Sequence, residues 1–207
     1  MDKLVIIGAS GHGKVVADIA LKTGYKDIVF LDDNPDKLFC GNYPVVGKTS
    51  EVFGMNRKCF VAIGNTRIRA KIQQRISEAG ISVVSLIHPN AVIADDVQLG
   101  TGTVVMAGAV INSGTVIGRG CIVNTCSSID HDCKIGSYCH IAVGAHIAGT
   151  VEVGDETWIG AGVTISNNVN ICSGCTIGAG AVVIHNIMNA GTYVGVPAMF
   201  VKKGNDR

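Results

Sequence analysis

The sequence predicts two domains, an α/β domain over residues 1–87 and a parallel β-helix over residues 88–207. Three observations carry that reading. Strand-like apolar runs alternate with amphipathic helical patterns in the first part. A glycine-rich turn, GASGHG, separates the first strand from the first helix. From His88 onward an aliphatic residue returns at every sixth position without losing phase.

In the first part, KLVIIG reads as a buried strand running into Gly8, Gly11 and Gly13. Residues 12–23 place Val15, Val16, Ile19 and Ala20 at helical spacing, and Gly24 supplies the stop. DIVFLDD is a second strand that closes on Asp32 and Asp33. CFVAIGN is a third strand, TRIRAKIQQRISEAG a helix ending at Gly80, and ISVVSLI a last strand. No regular element is predicted from Asn34 to Arg57.

In the second part, every sixth residue from 93 to 183 is Ile, Leu or Val. Two positions earlier stands a small or β-branched residue, such as Ala91, Thr103, Ala109, Cys121, Ser127, Cys133, Cys139, Ala145 or Cys175. Glycine often follows the aliphatic, as at Gly100, Gly118, Gly136, Gly154, Gly160 and Gly178. A strict hexapeptide period marks a β-helix in which each hexad forms one face and three faces close a coil. The aliphatics point inward and stack ~4.8 Å from their counterparts in the next coil. Each such burial contributes ~1.5–3 kcal/mol before chain entropy.

Composition narrows the function. A net charge of +1 over 207 residues argues against a dedicated nucleic-acid binder. Mean hydropathy is positive, yet no apolar run approaches the ~20 residues of a spanning helix. The segment MDKLVIIGAS has too short an apolar stretch for a signal peptide, so a cytoplasmic location is expected. The 8 cysteines are not expected to form disulfides there. Cys121, Cys133, Cys139 and Cys175 fall at the small inward position, where Cys acts as a compact hydrophobe. CSGC is a lone C-x-x-C and reads as structural, not zinc-binding. HDC and YCH offer metal-ligating types, but Cys133 and Cys139 face the core on successive sides. No metal is expected.

The repeat does not explain His131, which follows the inward Ile129 by two and faces outward at a corner. Asp132 adjoins it, and Gly149 stacks on it from the next coil. A histidine can act as a general base, a carboxylate can orient it, and a glycine amide can donate to an oxyanion. The competing reading is a solvated corner. His140 lies half a coil away, so one site using both histidines needs two subunits; otherwise His140 is packed at an interface. His146 reads as solvent-facing.

GASGHG between a strand and a helix lets a phosphate approach the backbone, with Ser10, Gly11 and His12 in the turn. Its spacing is not G-x-G-x-x-G, and about four strands are too few for two mononucleotide halves. A mononucleotide-type ligand is favoured over a nicotinamide dinucleotide. Asp32 and Asp33 end the second strand, and Gly64 and Asn65 the third, at the same sheet edge. Asn65 alone reads as turn chemistry; His12 either caps the helix or touches a ligand.

The set GASGHG, FLDD, AIGN, NTCSSIDHDCKIG and VGVPA, joined to hexapeptide repeats, resembles nucleotide-sugar acetyltransferases of the bacillosamine-pathway type. Sialic-acid O-acetyltransferase-like proteins and GDP-perosamine N-acetyltransferases are similar. The resemblance implies a Rossmann-like nucleotide-sugar-binding domain followed by a left-handed β-helix, assembled as a homotrimer with active sites between subunits. It implies acetyl-CoA as co-substrate, His131 as general base and Asp132 as the residue that raises its basicity. Asn124 would lie near the acceptor sugar. His140, the Gly149 amide, Ala161 and Ala179 would contact acetyl-CoA. Ser10, Gly11, His12, Asp32, Asp33 and Gly64 would hold the nucleotide sugar. Asp132 stands where the family often has Glu. Met199 stands where a basic residue usually follows VPA, although Lys202 and Lys203 lie close by in sequence.

The implied reaction is N-acetylation of a nucleotide-linked, UDP-type 4-amino-4,6-dideoxy sugar by direct transfer. The alternatives are O-acetylation of a sialic acid or related sugar, and a non-catalytic nucleotide-sugar-binding scaffold.

Overall fold

A computed structural model describes residues 3–201, so Lys202 and Lys203 lie outside the described residues. Strand β1 (Lys3–Ile7) is the centre of a three-stranded parallel sheet. β2 (Asp27–Leu31) pairs along one side of it. On the same scheme, β3 (Phe39–Cys40) and β4 (Tyr43–Pro44) form a hairpin, and β5 (Lys58–Val61) pairs along the other side of β1. A 3-10 helix at Thr49–Gly54 follows the hairpin, so the segment without a predicted element is ordered.

Both faces of the sheet are covered, which is why four of the five β1 residues are buried. Helix α1 (Gly11–Lys22) packs Val16, Ala17, Ile19 and Ala20 onto Leu4, Ile6 and Phe30. On the opposite face, Val5, Ile7 and Val29 meet Val52 of the 3-10 helix and Ile76 of helix α2 (Thr66–Glu78). Gly24 and Gly80 end the two helices with φ of 102° and 74°, the left-handed conformation glycine adopts without penalty. The first turn is tight for a second reason. A Cβ on Gly13 would lie 2.2 Å from the Gly8 carbonyl oxygen, so only glycine lets α1 start so close to β1.

The segment predicted as a last strand behaves differently. Val83 makes a single bridge to Cys59, and then β6 (Leu86–Ile87) pairs with Val104–Val105 of the β-helix. Its reason is burial. Leu86 joins Val104, Met106 and Ile122 in one apolar cluster with α1, so the two domains share a core.

The β-helix has three parallel sheets of two-residue rungs. The first face stacks Val104, Ile122, His140, Trp158 and Thr176. The second stacks Val92, Val110, Ser128, His146, Thr164 and Val182. The third stacks Gln98, Val116, Lys134, Glu152 and Asn170. The inward aliphatics from Val105 to Val183 are all buried in one cluster, with Ile93 and Leu99 of the first coil partly covered.

Two features of the repeat are not read from the aliphatic period. The third residue after each aliphatic from Leu99 to Ile177 turns the corner with positive φ. Glycine fills it at Gly102, Gly114 or Gly162, but Cys126, Asp132, Tyr138, Thr150, Glu156 and Asn168 fill it elsewhere. The inward cysteines also do more than occupy volume. The thiols of Cys121, Cys133 and Cys139 donate to Gly136, Ala148 and Gly154 carbonyls at 3.1, 3.2 and 3.2 Å. The Thr103 and Thr115 hydroxyls make the equivalent bonds to Gly118 and Asp130 at 2.9 and 2.8 Å. All 8 cysteines are free, and the Cys172 and Cys175 sulfurs lie 3.5 Å apart.

Candidate active site

His131 and Asp132 form a corner between the second and third faces. Asp132 adopts the left-handed conformation (φ 57°), which aspartate tolerates better than most residues. Its Oδ2 lies 2.8 Å from His131 Nδ1. Gly114, one coil earlier, makes room: a Cβ there would lie 2.4 Å from Asp132 Oδ1. Asp130 holds the other side of the corner, accepting from the His131 amide and from Asn112 Nδ2, both at 2.8 Å.

The hydrogen bond that Asp132 accepts, reinforced by the charges of Asp130 and Asp132, raises the His131 pKa above its ordinary 6.5. With Asp132 as acceptor, Nδ1 carries the proton and Nε2 keeps the lone pair. Gly149 lies directly against that nitrogen. A Cβ at Gly149 would stand 2.5 Å from His131 Nε2. The Gly149 amide donates to no group among the described residues. An exposed basic nitrogen thus lies against Gly149, a buried residue whose N–H is not engaged among the described residues.

His140 has the opposite setting. It is 8% exposed on the first face, with Nε2 3.1 Å from Asn124 Nδ2 and its ring 4.3 Å from Trp158. Burial, then the charge of Arg69, then His12 lower its pKa to about 3. His12, in the first turn of α1, is lowered to about 4 by burial and then by Arg69. Its imidazole caps nothing; the His12 Nε2 and His140 Nδ1 atoms are buried without a protein partner. Asn124, His140, His12 and Arg69 therefore meet at the domain junction. Trp158 belongs with them and was not singled out by sequence. As the chain's 1 tryptophan at an outward rung position, it was a readable signal.

Ala161 and Ala179 lie on a third location, the corner between the first and second faces. Beside them run Gly144, Gly162 and Gly180, where a Cβ would meet nothing within 4 Å. That corner is an open lane of small residues. His146 is exposed, with Nδ1 2.9 Å from Ser128 Oγ.

The ends of β1, β2 and β5 converge on one sheet edge. Ser10 precedes α1 without a side-chain cap, and Gly11 and Gly64 leave their backbone open, since a Cβ at either meets nothing within 4 Å. Asp32 accepts from the Ala9 and Asn34 amides at 2.7 and 2.9 Å, and Asp33 from the Thr49 amide at 2.9 Å. Both carboxylates thus already tie loops at the rim. Asn65 caps α2 through the Ile68 amide at 3.0 Å, the turn role expected of it. A cavity of about 390 Å³ opens beyond Asp33, lined by Phe53, Lys71 and Arg75 among others. A cleft of about 340 Å³ lies between the start of α2 and the first face, where Arg67, Glu156 and Trp158 line it.

The predicted residues thus form separate groups. His131, Asp132 and Gly149 meet at one corner, and His12, Asn124 and His140 at the junction. Ser10, Gly11, Asp32, Asp33 and Gly64 share the sheet edge, while Ala161 and Ala179 share the small-residue lane.

Residues 3–76 match the family model of the PglD N-terminal domain, and residues 150–185 that of bacterial transferase hexapeptide repeats. The acetyltransferase domain of PglB from Neisseria gonorrhoeae is 40% identical, with 97% of this chain and 100% of that chain covered and a TM-score of 0.93. That domain is also known in complex with acetyl coenzyme A. PerB from Caulobacter crescentus, solved with CoA and GDP-perosamine, is 35% identical over 98% of both chains, with a TM-score of 0.92. UDP-N-acetylbacillosamine N-acetyltransferase of Bacillus subtilis is 30% identical over 113 residues, and the match spans about half of that protein, 52%.

Proposed function

Because the chain belongs to the hexapeptide-repeat sugar acetyltransferases of the PglB and PerB type, we propose that it acetylates the amine of a nucleotide-linked amino sugar. Acetyl-CoA is the donor and a UDP-linked 4-amino-4,6-dideoxy sugar the acceptor. The observation that carries the chemistry is His131 Nε2 against Gly149, with Nδ1 held by Asp132.

The residues divide the work. His131 Nε2 accepts the proton that the amine sheds as its nitrogen attacks the thioester carbonyl. Asp132 keeps the tautomer and stabilises the imidazolium that forms. The Gly149 N–H donates to the carbonyl oxygen as negative charge grows there. The imidazolium then returns its proton to the departing CoA sulfur. No covalent acyl-enzyme is required, and no cysteine is assigned as nucleophile.

The open lane at Gly144, Gly162 and Gly180 fits an extended pantetheine chain beside Ala161 and Ala179. The open backbone at Gly11 and Gly64 fits the diphosphate end of the nucleotide sugar. His131 and the Asn124–His140 junction lie on different sides of one β-helix, which supports a homotrimer whose copies complete each other's sites. Dependence on acetyl-CoA is in keeping with a cytoplasmic enzyme. No helix among the described residues is long and apolar enough to cross a membrane.

The test is a mass-spectrometric acceptor screen with acetyl-CoA and a panel of UDP-linked amino sugars, GDP-perosamine and sialic acids. One acetyl group on a UDP-4-amino sugar is expected. Acetylation of GDP-perosamine alone would change the nucleotide, and of a sialic acid alone would move the reaction to oxygen. No product from any acceptor would sink the proposed reaction.

A further inference from the structure

Arg69 is fully buried, 1% exposed, and its side chain leaves α2 to lie between the domains. Its guanidinium makes four hydrogen bonds, all to main-chain carbonyls. Nε donates to Gly120 at 2.7 Å and Nη2 to Tyr138 at 2.8 Å, on consecutive coils of the β-helix. Nη1 donates to Ile63 at 2.8 Å and Gly64 at 2.9 Å, in the turn that ends β5. One turn further along α2, Gln73 is also 1% exposed and donates to the Thr101 carbonyl at 2.9 Å. It packs where a Cβ on Gly102 would lie 2.4 Å from its amide nitrogen.

This is an unusual way to glue two domains. Apolar side chains would supply adhesion at lower desolvation cost. A planar fork aimed at four fixed carbonyls supplies orientation instead. The carbonyls come in two pairs, one from each domain, so the fork sets one domain against the other. Gly64, one of its acceptors, is at the sheet edge expected to hold the nucleotide sugar. Gly120 and Tyr138 flank the stretch that carries Asn124.

We propose that Arg69 is a positioning residue that registers the Ile63–Asn65 turn against the β-helix, so that the nucleotide sugar is presented in one fixed orientation. The orientation of the turn follows from the hydrogen bonds alone; the nucleotide-sugar part rests on the proposed function. The turn is then set before substrate arrives and does not close around it.

The full chain carrying Arg69→Met or Arg69→Lys tests this in two ways. Lysine keeps the charge and stem but not the fork, and decides the matter if Arg69→Met fails to fold. In hydrogen–deuterium exchange, the amides of Ala62, Gly120 and Tyr138 should exchange about 10-fold faster or more in either variant, while those of residues 140–177 stay within about 2-fold. With the acceptor found by the screen, the KM for nucleotide sugar should rise about 10-fold or more. The KM for acetyl-CoA should stay within about 2-fold and kcat within about 3-fold. Wild-type exchange at Ala62, Gly120 and Tyr138 would overturn the proposal. So would a uniform fall in activity with both KM values unchanged, the mark of lost folded protein. If the wild type acetylates nothing, the proposed function fails, and the exchange result still judges the role of Arg69.

Discussion

His131 and His140 sit half a coil apart in the same repeat, yet the fold gives them opposite chemistry. His131 is at an exposed corner, bonded to Asp132, with its pKa raised. His140 is buried against Asn124 and Trp158, with its pKa lowered to about 3. At neutral pH only the first can trade a proton; the second is a fixed neutral ring. Identity as histidine decides little. The place in the coil decides, because the His131 corner faces water while the His140 rung is covered at the junction with the other domain.

That contrast can be broken most forcefully at His131 itself. His131→Ala should lower kcat by ~10²–10⁴-fold with little change in acetyl-CoA affinity. Undiminished turnover would remove it from catalysis. Gly149→Ala comes next. Its methyl would meet His131 Nε2 at 2.5 Å, so the ring must move, and steady-state kinetics should show kcat down by ~10²-fold. A variant as active as the wild type would mean that the ring position is unimportant.

Asp132→Asn sharpens the comparison through pH. The base works unprotonated, so kcat/KM rises with pH through the His131 pKa. Asp132 raises that pKa, and its loss should move the acid limb to lower pH while the plateau falls ~10-fold. A limb that moves upward contradicts the assignment. The smallest effect is expected at His140. His140→Gln should change kcat by less than ~3-fold and leave the acid limb in place. Its signature is stability. His140 and His12 bind protons more weakly folded than unfolded, so the stability they bring is full above the ordinary 6.5 and lost as pH falls toward about 3 and about 4. Tm measured from pH 7 to 4 should fall less steeply in His140→Gln than in the wild type; an equal slope would place His140 outside that acid sensitivity.

The sequence made the β-helix legible because its period is enforced at every coil by burial of one residue in six. It also located the His131–Gly149 contact, since stacking register follows from the period. It did not expose the positive-φ corners, because Cys126, Asp132, Tyr138 and Thr150 stand there beside glycines and blur the pattern. Nor did it reveal Arg69. An arginine on an amphipathic helix reads as a solvated face, and its burial depends on how two domains dock. ISVVSLI read as a strand of the first domain because its apolar pattern does not say which domain will cover it; Leu86 instead pairs on the β-helix. Aspartates 32 and 33 were legible as strand ends, but not as carboxylates already engaged by neighbouring amides.

The most direct test is an NMR titration of the 6 histidines, labelled at Cε1 and assigned with single His→Gln variants. The predicted result is a His131 pKa above 6.5, with His12 and His140 taking up protons only near about 4 and about 3. A His140 that titrates near neutrality, or a His131 that titrates below 6.5, would contradict the division of roles between the corner and the junction.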